Sequence, residues 1–366
     1  MYIEYLAATN FRNLHSFEIS ISNDPVLLIG ANAQGKTNIL EALALCATAR
    51  SFRNAKIQEL IASDAKHASL TARFNRHHVR HDISLNLTGN QKTIRVDGRS
   101  LRQITKLLDL VNIVAFFPDD LRIAKGSPEE RRRFLDRTIA NHRPDFIDAA
   151  ISYARVLKSR NTLLRSSSFL DKKLLAVYDD QLINYGCIVN SARCETLIAL
   201  IPLAVFRFAE IMNSKAELSL SLFSGLPISG DYSLAFREAL SHSYSQDRAR
   251  GMTTVGPHRA DLRMYIDGRD ARQFASQGQQ RSIVLSLKLA ELEYLKSRLG
   301  TTPILLLDDV SSELDSERTL SFFKATASLG SQMWVSTTGA ITLPLPESTQ
   351  RFSVENGSVN RLAISR

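Results

Sequence analysis

The segment Gly30–Thr37 constrains this sequence more than any other part of it. It reads GANAQGKT and matches the phosphate-loop pattern, in which two glycines five positions apart are followed by Lys and then Ser or Thr. The apolar run Pro25–Ile29 before it predicts a short buried strand, and the apolar periodicity after Lys36 predicts a buried helix. Because strand, loop and helix occur in the order that phosphate binding requires, the pattern favours an α/β nucleotide-binding fold over an incidental glycine turn.

Each part of this loop has a predicted task. Glycines let backbone N–H groups turn towards phosphate oxygens, and the N-terminus of the next helix adds its positive dipole end. Lys36 is predicted to reach the β- and γ-phosphates as a catalytic group, and the Thr37 hydroxyl is predicted to bind Mg²⁺. The predicted nucleotide contacts are Gly30, Ala31, Asn32, Ala33, Gln34, Gly35, Lys36, Thr37 and Asn38.

A second apolar run, Ile304–Leu307, ends in the carboxylates Asp308 and Asp309. Charges at the end of a buried strand need a partner or a task. We predict that Asp308 holds Mg²⁺, directly or through water, and that Asp309 orients or deprotonates the attacking water as a catalytic residue. The alternative is a strand that runs into an Asp-Asp helix cap.

Most of the chain lies between Lys36 and Asp308, which is far more than a compact nucleotide-binding unit needs. Helical periodicity dominates from Ser127, where a predicted N-cap, a proline at N1 and a capping-box glutamate coincide, to about Phe208. We therefore predict an α/β ATPase head, residues 1–117 plus 252–366, that is split by a mainly helical arm, residues 118–251 (lobe II).

Charge and composition limit the partners and the location. The net charge is +9, and between Arg50 and Lys173 basic residues outnumber acidic ones by about two to one, which favours a nucleic-acid surface over a solvated basic face. No apolar run is long enough to span a bilayer and no export signal is evident, so no membrane association and a cytoplasmic location are expected. The three cysteines are too scattered for a disulfide framework.

The segment Ser276–Arg281 resembles the signature motif of ABC-type ATPases. Small polar residues and glycine at a helix N-terminus form an anion site, and in that superfamily this site closes on the γ-phosphate held by another subunit. The resemblance thus makes Ser276 and Gly278 nucleotide contacts in a second copy of the chain. Ser312–Asp315 resembles the D-loop of the same superfamily.

Within that superfamily the chain resembles the RecF family over essentially its whole length. The matching segments are Asn10–Leu14, the phosphate loop, Phe117–Leu121, Lys125–Pro128, Arg131–Asp136, Gly256–Leu262 and Ser276–Arg281. The resemblance implies ATP and Mg²⁺ as cofactors, an ATP-dependent homodimer, DNA binding at gaps and slow, DNA-stimulated hydrolysis that drives release. It also implies cooperation with RecR and RecO in RecA loading and the SOS response.

Some features keep alternatives open. Thr337 and Thr338 stand where a transporter ATPase has a switch histidine, and no glutamine follows the strand predicted at Val111–Phe117. Three alternative functions remain open: a transporter subunit, a GTPase or small-molecule kinase, and a purely structural ATP-binding subunit. No N/T-K-x-D motif supports the GTPase.

The roles of several other charged residues have two possible interpretations. Arg12, a predicted nucleotide contact, and Arg53 are either contacts of nucleotide or DNA or simple surface arginines. Arg131–Arg133 are expected to line a charged surface or to pair with Asp136 and Glu129. The Arg76–His81 run is expected to be a basic turn rather than a metal site, and His258 and Arg259 are expected to structure the core without an assigned role.

Overall fold

The architecture was analysed in a computed structural model, which describes residues 1–166, 171–228, 230–309, 316–339 and 343–362. The chain folds into two compact units. Unit 1 comprises Met1–Leu121, Phe206–Asn213 and Arg281–Arg366, and unit 2 comprises Arg122–Val205 and Ser214–Gln280.

Strands and helices follow one another along the chain in an order typical of a split α/β protein. Unit 1 begins with β1 (Tyr2–Phe11), β2 (Leu14–Ser20), β3 (Val26–Ile29), α1 (Lys36–Thr48), α2 (Ile57–Leu60), β4 (His67–Arg76), β5 (Val79–Thr88), β6 (Gln91–Val96), β7 (Arg99–Ser100) and β8 (Ile113–Phe116). The middle of the chain forms α3 (Arg122–Lys125), α4 (Pro128–Ala140), α5 (Pro144–Arg165), α6 (Lys172–Met212), β9 (Leu218–Phe223), α7 (Tyr232–Arg250), β10 (Asp261–Ile266), β11 (Arg269–Asp270) and α8 (Ala271–Phe274). The remaining elements are α9 (Gln277–Leu299), β12 (Ile304–Leu307), α10 (Ser316–Leu329), β13 (Met333–Thr337), β14 (Gln350–Glu355) and β15 (Ser358–Arg361).

Two six-stranded sheets form unit 1. One is antiparallel, in the order β2-β1-β4-β5-β6-β7, and the other has the order β15-β14-β3-β13-β12-β8, in which only β15 runs antiparallel to its neighbour. Helix α1 contacts β1, β4 and β5 of the first sheet and β13 of the second. Its residues from Ile39 to Ala47 are all buried, because a helix covered by sheets on both sides has no solvent face.

The strand order decides where the two predicted chemical motifs meet. Strand β13 pairs in parallel with both β3 and β12, so the phosphate-loop strand and the carboxylate strand have one strand between them. The carboxyl ends of all three strands lie at the same edge of the sheet, which is where ligands bind in open α/β sheets.

Unit 2 packs helices around a core of its own. Buried residues from α5, α6 and α7 form this core, among them Tyr153, Leu182, Phe236 and Leu240. Strands β9, β10 and β11 form a separate antiparallel sheet. Helix α4 begins at Pro128 as predicted, but the predicted capping box is wrong, because the Ser127 side chain makes no cap hydrogen bond.

The contact-based division differs from the predicted domain boundaries. Residues 252–280 group with the helical unit, although the sequence placed them in the head, and Phe206–Asn213 at the end of α6 group with unit 1. Strand β10 pairs with β9, which accounts for the first difference. The assignment of head and arm as functional domains stays a prediction.

Candidate nucleotide-binding site

The phosphate-loop segment lies between β3 and α1, as the sequence predicted. Two positions of the loop, Gly30 and Gly35, do not readily accommodate a side chain. A Cβ atom on Gly30 would lie 2.2 Å from the carbonyl oxygen of Val354, and Gly35 has φ of 116°, a value that residues with a side chain rarely adopt. The loop thus depends on two residues that lack a side chain.

Lys36 lies folded over this loop. Its ammonium group donates hydrogen bonds to the carbonyl oxygens of Gly30, at 2.7 Å, and Ala31, at 2.8 Å. Burial lowers the pKa of Lys36, and the nearby carboxylates of Asp309 and Asp308 oppose that shift. An ammonium group has three donors, so this arrangement holds the charge at the loop and leaves one N–H for a phosphate oxygen.

Thr37 and Asp308 meet although they lie 271 positions apart in the chain. The Thr37 hydroxyl oxygen is 2.9 Å from both carboxylate oxygens of Asp308. The Ser336 hydroxyl, on the intervening strand β13, donates to Asp308 at 2.6 Å. Burial raises the pKa of Asp308, while the hydrogen bonds from Ser336 and Thr37 act in the opposite direction.

The donor set of this pair fits a magnesium ion. A hydroxyl and a carboxylate are hard oxygen ligands, and Mg²⁺ is commonly held by one or two such protein groups together with phosphate oxygens and water. The residues that could hold it are therefore Thr37 and Asp308, and their role as magnesium ligands stays a prediction.

Asp309 turns the chain sharply after β12. It has φ of 50°, and its backbone N–H donates to the Ser336 hydroxyl at 3.0 Å. Aspartate tolerates this left-handed conformation better than most residues with a side chain do. The carboxylate of Asp309 acts to raise the pKa of Lys36, against the effect of burial.

Side-chain hydrogen bonds brace the loop from outside, and two of the predicted nucleotide contacts, Gln34 and Asn38, take part in them. The Asn13 side-chain amide donates to the carbonyl of Ala33 at 3.2 Å, and that of Asn38 donates to the Asn13 side-chain oxygen at 2.7 Å. At its far side, the side-chain oxygen of Gln34 accepts the Asn356 N–H at 2.6 Å. These bonds fix the shape of the loop before any ligand binds.

Arg12 has a different partner from the one predicted for it. Its guanidinium binds the fully buried carboxylate of Glu41 with two hydrogen bonds of 3.0 Å. Ser51 also donates to Glu41, and Arg53 lies 3.7 Å from it. Glu41 was missed, although a lone carboxylate in the apolar stretch of α1 signals a buried pair. Contact of Arg12 with nucleotide stays a prediction.

The signature-like segment forms the start of helix α9, and its residues Ser276–Gln280 belong to unit 2. The Ser276 N–H donates to the Gln279 side-chain oxygen at 2.8 Å, and the Gln279 N–H donates to the Ser276 hydroxyl oxygen at 3.2 Å. This reciprocal pair is a capping box. Ser276 is exposed, and its hydroxyl hydrogen can still be donated. Ser312–Asp315 lies outside the described residues.

Comparisons with known proteins give one consistent result. A family model described as RecF/RecN/SMC N terminal domain matches residues 2–358. The DNA replication and repair protein RecF of Myxococcus xanthus is 38% identical over 337 residues, which cover 90% of this chain and 88% of that protein. The protein of the same description from Streptococcus pneumoniae is 36% identical over 363 residues, covering 98% and 99%.

Solved structures agree with this result. The recombination mediator protein RecF with ATP, described as acting in the RecFOR pathway, superimposes with a TM-score of 0.88 at 30% identity and covers 99% of this chain and 98% of its own. An Smc head bound to the C-terminal winged-helix domain of ScpA has a TM-score of 0.59 at 16% identity, so that likeness concerns the fold alone. The predicted α/β ATPase-head fold is thereby confirmed. Among the described residues, no helix is long and apolar enough to cross a membrane.

Proposed function

The chain belongs to the RecF/RecN/SMC N-terminal domain family and, within it, to the RecF proteins of DNA replication and repair, and we propose that it is an ATPase whose bound ATP controls its binding to DNA. The observation that carries the nucleotide part is the Thr37–Asp308 pair, in which a loop hydroxyl meets a buried carboxylate at 2.9 Å. Such a pair beside a phosphate loop fits a nucleotide with its magnesium ion.

Each residue of the site has a role in this proposal. Backbone N–H groups of Gly30–Thr37 bind the phosphates, and Lys36 binds the β- and γ-phosphate oxygens. When bound, Mg²⁺ supplies positive charge against the phosphate oxygens. Asp309 orients the attacking water, since phosphoryl transfer depends on positioning and electrostatics more than on covalent chemistry.

The ATP-bound form is proposed to be a homodimer. Ser276 and Gly278 of a second copy would close over the γ-phosphate, in agreement with the exposure of Ser276 at the start of a helix whose N-terminus attracts anions. ATP then favours the closed dimer because it makes contacts there that the open state lacks, and hydrolysis removes that preference.

DNA binding is proposed for the closed state, at single-stranded or double-stranded DNA beside gaps. The family also supports a link to RecR and RecO, because the similar RecF structure with ATP is described in the RecFOR pathway. Through those partners the protein would support RecA loading and the SOS response. We place this work in the cytoplasm, where the DNA and ATP that it would bind occur together.

The ATPase assignment is tested by replacing Asp309 with Asn. Binding of a fluorescent ATP analogue should persist, because the phosphate contacts remain, while hydrolysis with gapped duplex DNA should fall by on the order of 100-fold, as for loss of a general base. The matched control is Asp97→Asn, since Asp97 also has φ of 50° but lies in the β6–β7 turn.

Wild-type protein should hydrolyse ATP in preference to GTP, slowly, and faster with DNA than without it. Unchanged hydrolysis in Asp309→Asn would remove Asp309 from the catalytic role. A preference for GTP, or membrane-bound protein after cell fractionation, would instead favour the rival classes.

A further inference from the structure

The short segment Thr253–Ala260 of unit 2 is the point on which several arginines converge. Arg132, on α4, donates to the carbonyl oxygen of Ala260 at 2.7 Å. Arg193, on α6, donates to that of Pro257 at 2.7 Å, and Arg259, within the segment, donates to that of Thr253 at 3.2 Å. These three guanidinium groups, here called the arginine cluster, come from separate parts of the unit and meet at one loop.

The carboxylates near this cluster are each paired with an arginine other than Arg132 or Arg259. Arg131 binds Asp261 at 2.6 Å, Arg133 binds Glu129 at 2.6 Å, and Arg193 binds Asp136 at 2.8 Å. Within the described ranges, the hydrogen-bond partners of Arg132 and Arg259 are backbone carbonyls alone. Arg132 is thus the middle member of a run of three arginines whose two neighbours are each neutralised by a carboxylate.

The histidine beside the cluster does not supply a counter-charge. The Tyr153 hydroxyl is 2.7 Å from His258 Nδ1, and His258 Nε2 is 3.0 Å from the carbonyl oxygen of Thr253. The carbonyl can only accept, so Nε2 carries the proton, Tyr153 donates to Nδ1, and the ring is neutral. Burial lowers the pKa of His258 to about 4, and the neighbouring Arg259 and Arg132 act in the same direction.

Burial and a neighbouring cation both act against the positive charge of Arg132. Arg132 is partly buried, and burial followed by the nearby positive charge of Arg193 lowers its pKa. The carboxylates of Glu129, Asp136 and Asp261 act in the opposite direction. Removing a cation from water is unfavourable unless an opposite charge and good hydrogen bonds replace the water. Repulsion between neighbouring cations adds to that cost. An anionic ligand would reduce both the repulsion and the cost of burial.

Both arginines keep donors for such a ligand. A guanidinium group carries five N–H donors in a planar fork, and Arg132 and Arg259 each use one on a carbonyl. Arg259 is exposed and Arg132 is half-exposed. A planar fork suits the oxygens of a phosphate group, to which arginine binds through two parallel hydrogen bonds.

We propose that Arg132 and Arg259 form a contact site for the phosphate groups of DNA, with Arg193 as a positioning residue that holds the Thr253–Ala260 segment between them. This inference rests on the proposed function, to which it adds named residues. A backbone phosphate needs only charge and N–H donors, which the cluster supplies, whereas a free nucleotide is already served by the phosphate loop. Contacts of this kind fix position and carry no base sequence.

The test compares Arg132→Gln and Arg259→Gln with wild-type protein, in the full-length chain with ATP. Fluorescence anisotropy gives the dissociation constant for labelled gapped duplex DNA over a series of salt concentrations. Each variant should bind on the order of tenfold more weakly, and the slope of log affinity against log salt should become shallower by about 0.9 per lost duplex contact. The effect should be the same for unrelated base sequences.

Arg133→Gln is the matched control, because it removes the same charge from the same run. Its side chain is 58% exposed and paired with Glu129, so the salt slope should hardly change. Arg132→Lys and Arg259→Lys keep the charge and should keep most of the slope, which separates a charge effect from a folding defect.

Equal loss in Arg133→Gln, or an unchanged slope in both Gln variants, would overturn the site, and the arginines would then serve a different anion such as carboxylates of a protein partner. ATP binding should be normal in all variants. If the wild-type protein itself does not bind DNA, the proposed function is overturned, and this site with it. That outcome differs from failure of the site alone, because it is seen before any variant is compared.

Discussion

His258 shows how burial at a single residue makes stability depend on pH. Its pKa is lowered to about 4 in the folded protein, whereas an unfolded histidine has a pKa of about 6.5. Between these values the unfolded chain binds the additional proton, so stability rises with pH in that window. The contribution is complete above about pH 6.5 and is lost as the pH falls towards 4.

The variant His258→Gln should remove that pH dependence, since glutamine does not titrate and its amide can still donate to the Thr253 carbonyl. Chemical denaturation of wild type between pH 4 and 7 should reveal a loss of up to about 3 kcal/mol from this residue, and the variant should show a flatter profile. Parallel profiles for the two proteins would mean that His258 is not the group that titrates.

Residues of the site also differ in whether their place in it could be predicted from the sequence. Lys36, Thr37 and Asp308 could be predicted because a local pattern carries their chemistry. Ser336 and Glu41 could not be assigned in the same way, because Ser336 acquires its role from the strand order that places it beside Asp308, and Glu41 from two arginines that approach α1 from other segments.

At the scale of elements, the start of α9 has a role both in the stability of the helix and in the proposed dimer. The Ser276–Gln279 capping box fixes the first turn of this helix, and caps of this kind stabilise a helix by about 1 kcal/mol. The same first turn presents Ser276 to solvent, where a second copy would bring its γ-phosphate.

Replacing Ser276 with Arg should therefore abolish ATP-dependent dimers, because a large cation fills the space meant for a phosphate. ATP binding by the monomer should persist, since the phosphate loop is untouched. Sedimentation velocity with and without ATP measures the first effect, and a fluorescent ATP analogue measures the second. Ser241→Arg, at an exposed position of α7, is the matched control and should still dimerise. Dimers in Ser276→Arg, or loss of monomer ATP binding, would contradict the proposed geometry.

The predicted elements agree best with the structure where a segment is long enough to show a periodic pattern of apolar residues. Strands β3, β8 and β12 and helices α1 and α4 were predicted, whereas α2, α3, α8, β7 and β11 were not. These missed elements are two to four residues long, which is too short for an apolar repeat to show. The dipeptide Asn356-Gly357 favours the tight turn that joins β14 and β15.

At the scale of the whole molecule, the proposal assigns ATP to one compact unit and DNA phosphates to the other. The phosphate loop and Asp308 belong to unit 1, and Ser276, Gly278 and the arginine cluster belong to unit 2. The sequence predicted a split head with an inserted helical section, and it could not show that residues 252–280 group with the helical unit, because the pairing of β10 with β9 is a long-range contact. Control of DNA binding by ATP requires that ATP bind the DNA-competent state more tightly than the other state.

The most direct test of that claim is fluorescence anisotropy of labelled gapped duplex DNA at one fixed salt concentration, with ATP, ADP or no nucleotide, beside sedimentation of the same samples. We expect ATP alone to promote both DNA binding and dimerisation, and Lys36→Met, which removes the ammonium group from the loop, to lose both. DNA binding that is absent, or equal under all three nucleotide conditions while ATP still binds, would contradict the claim that ATP controls DNA binding.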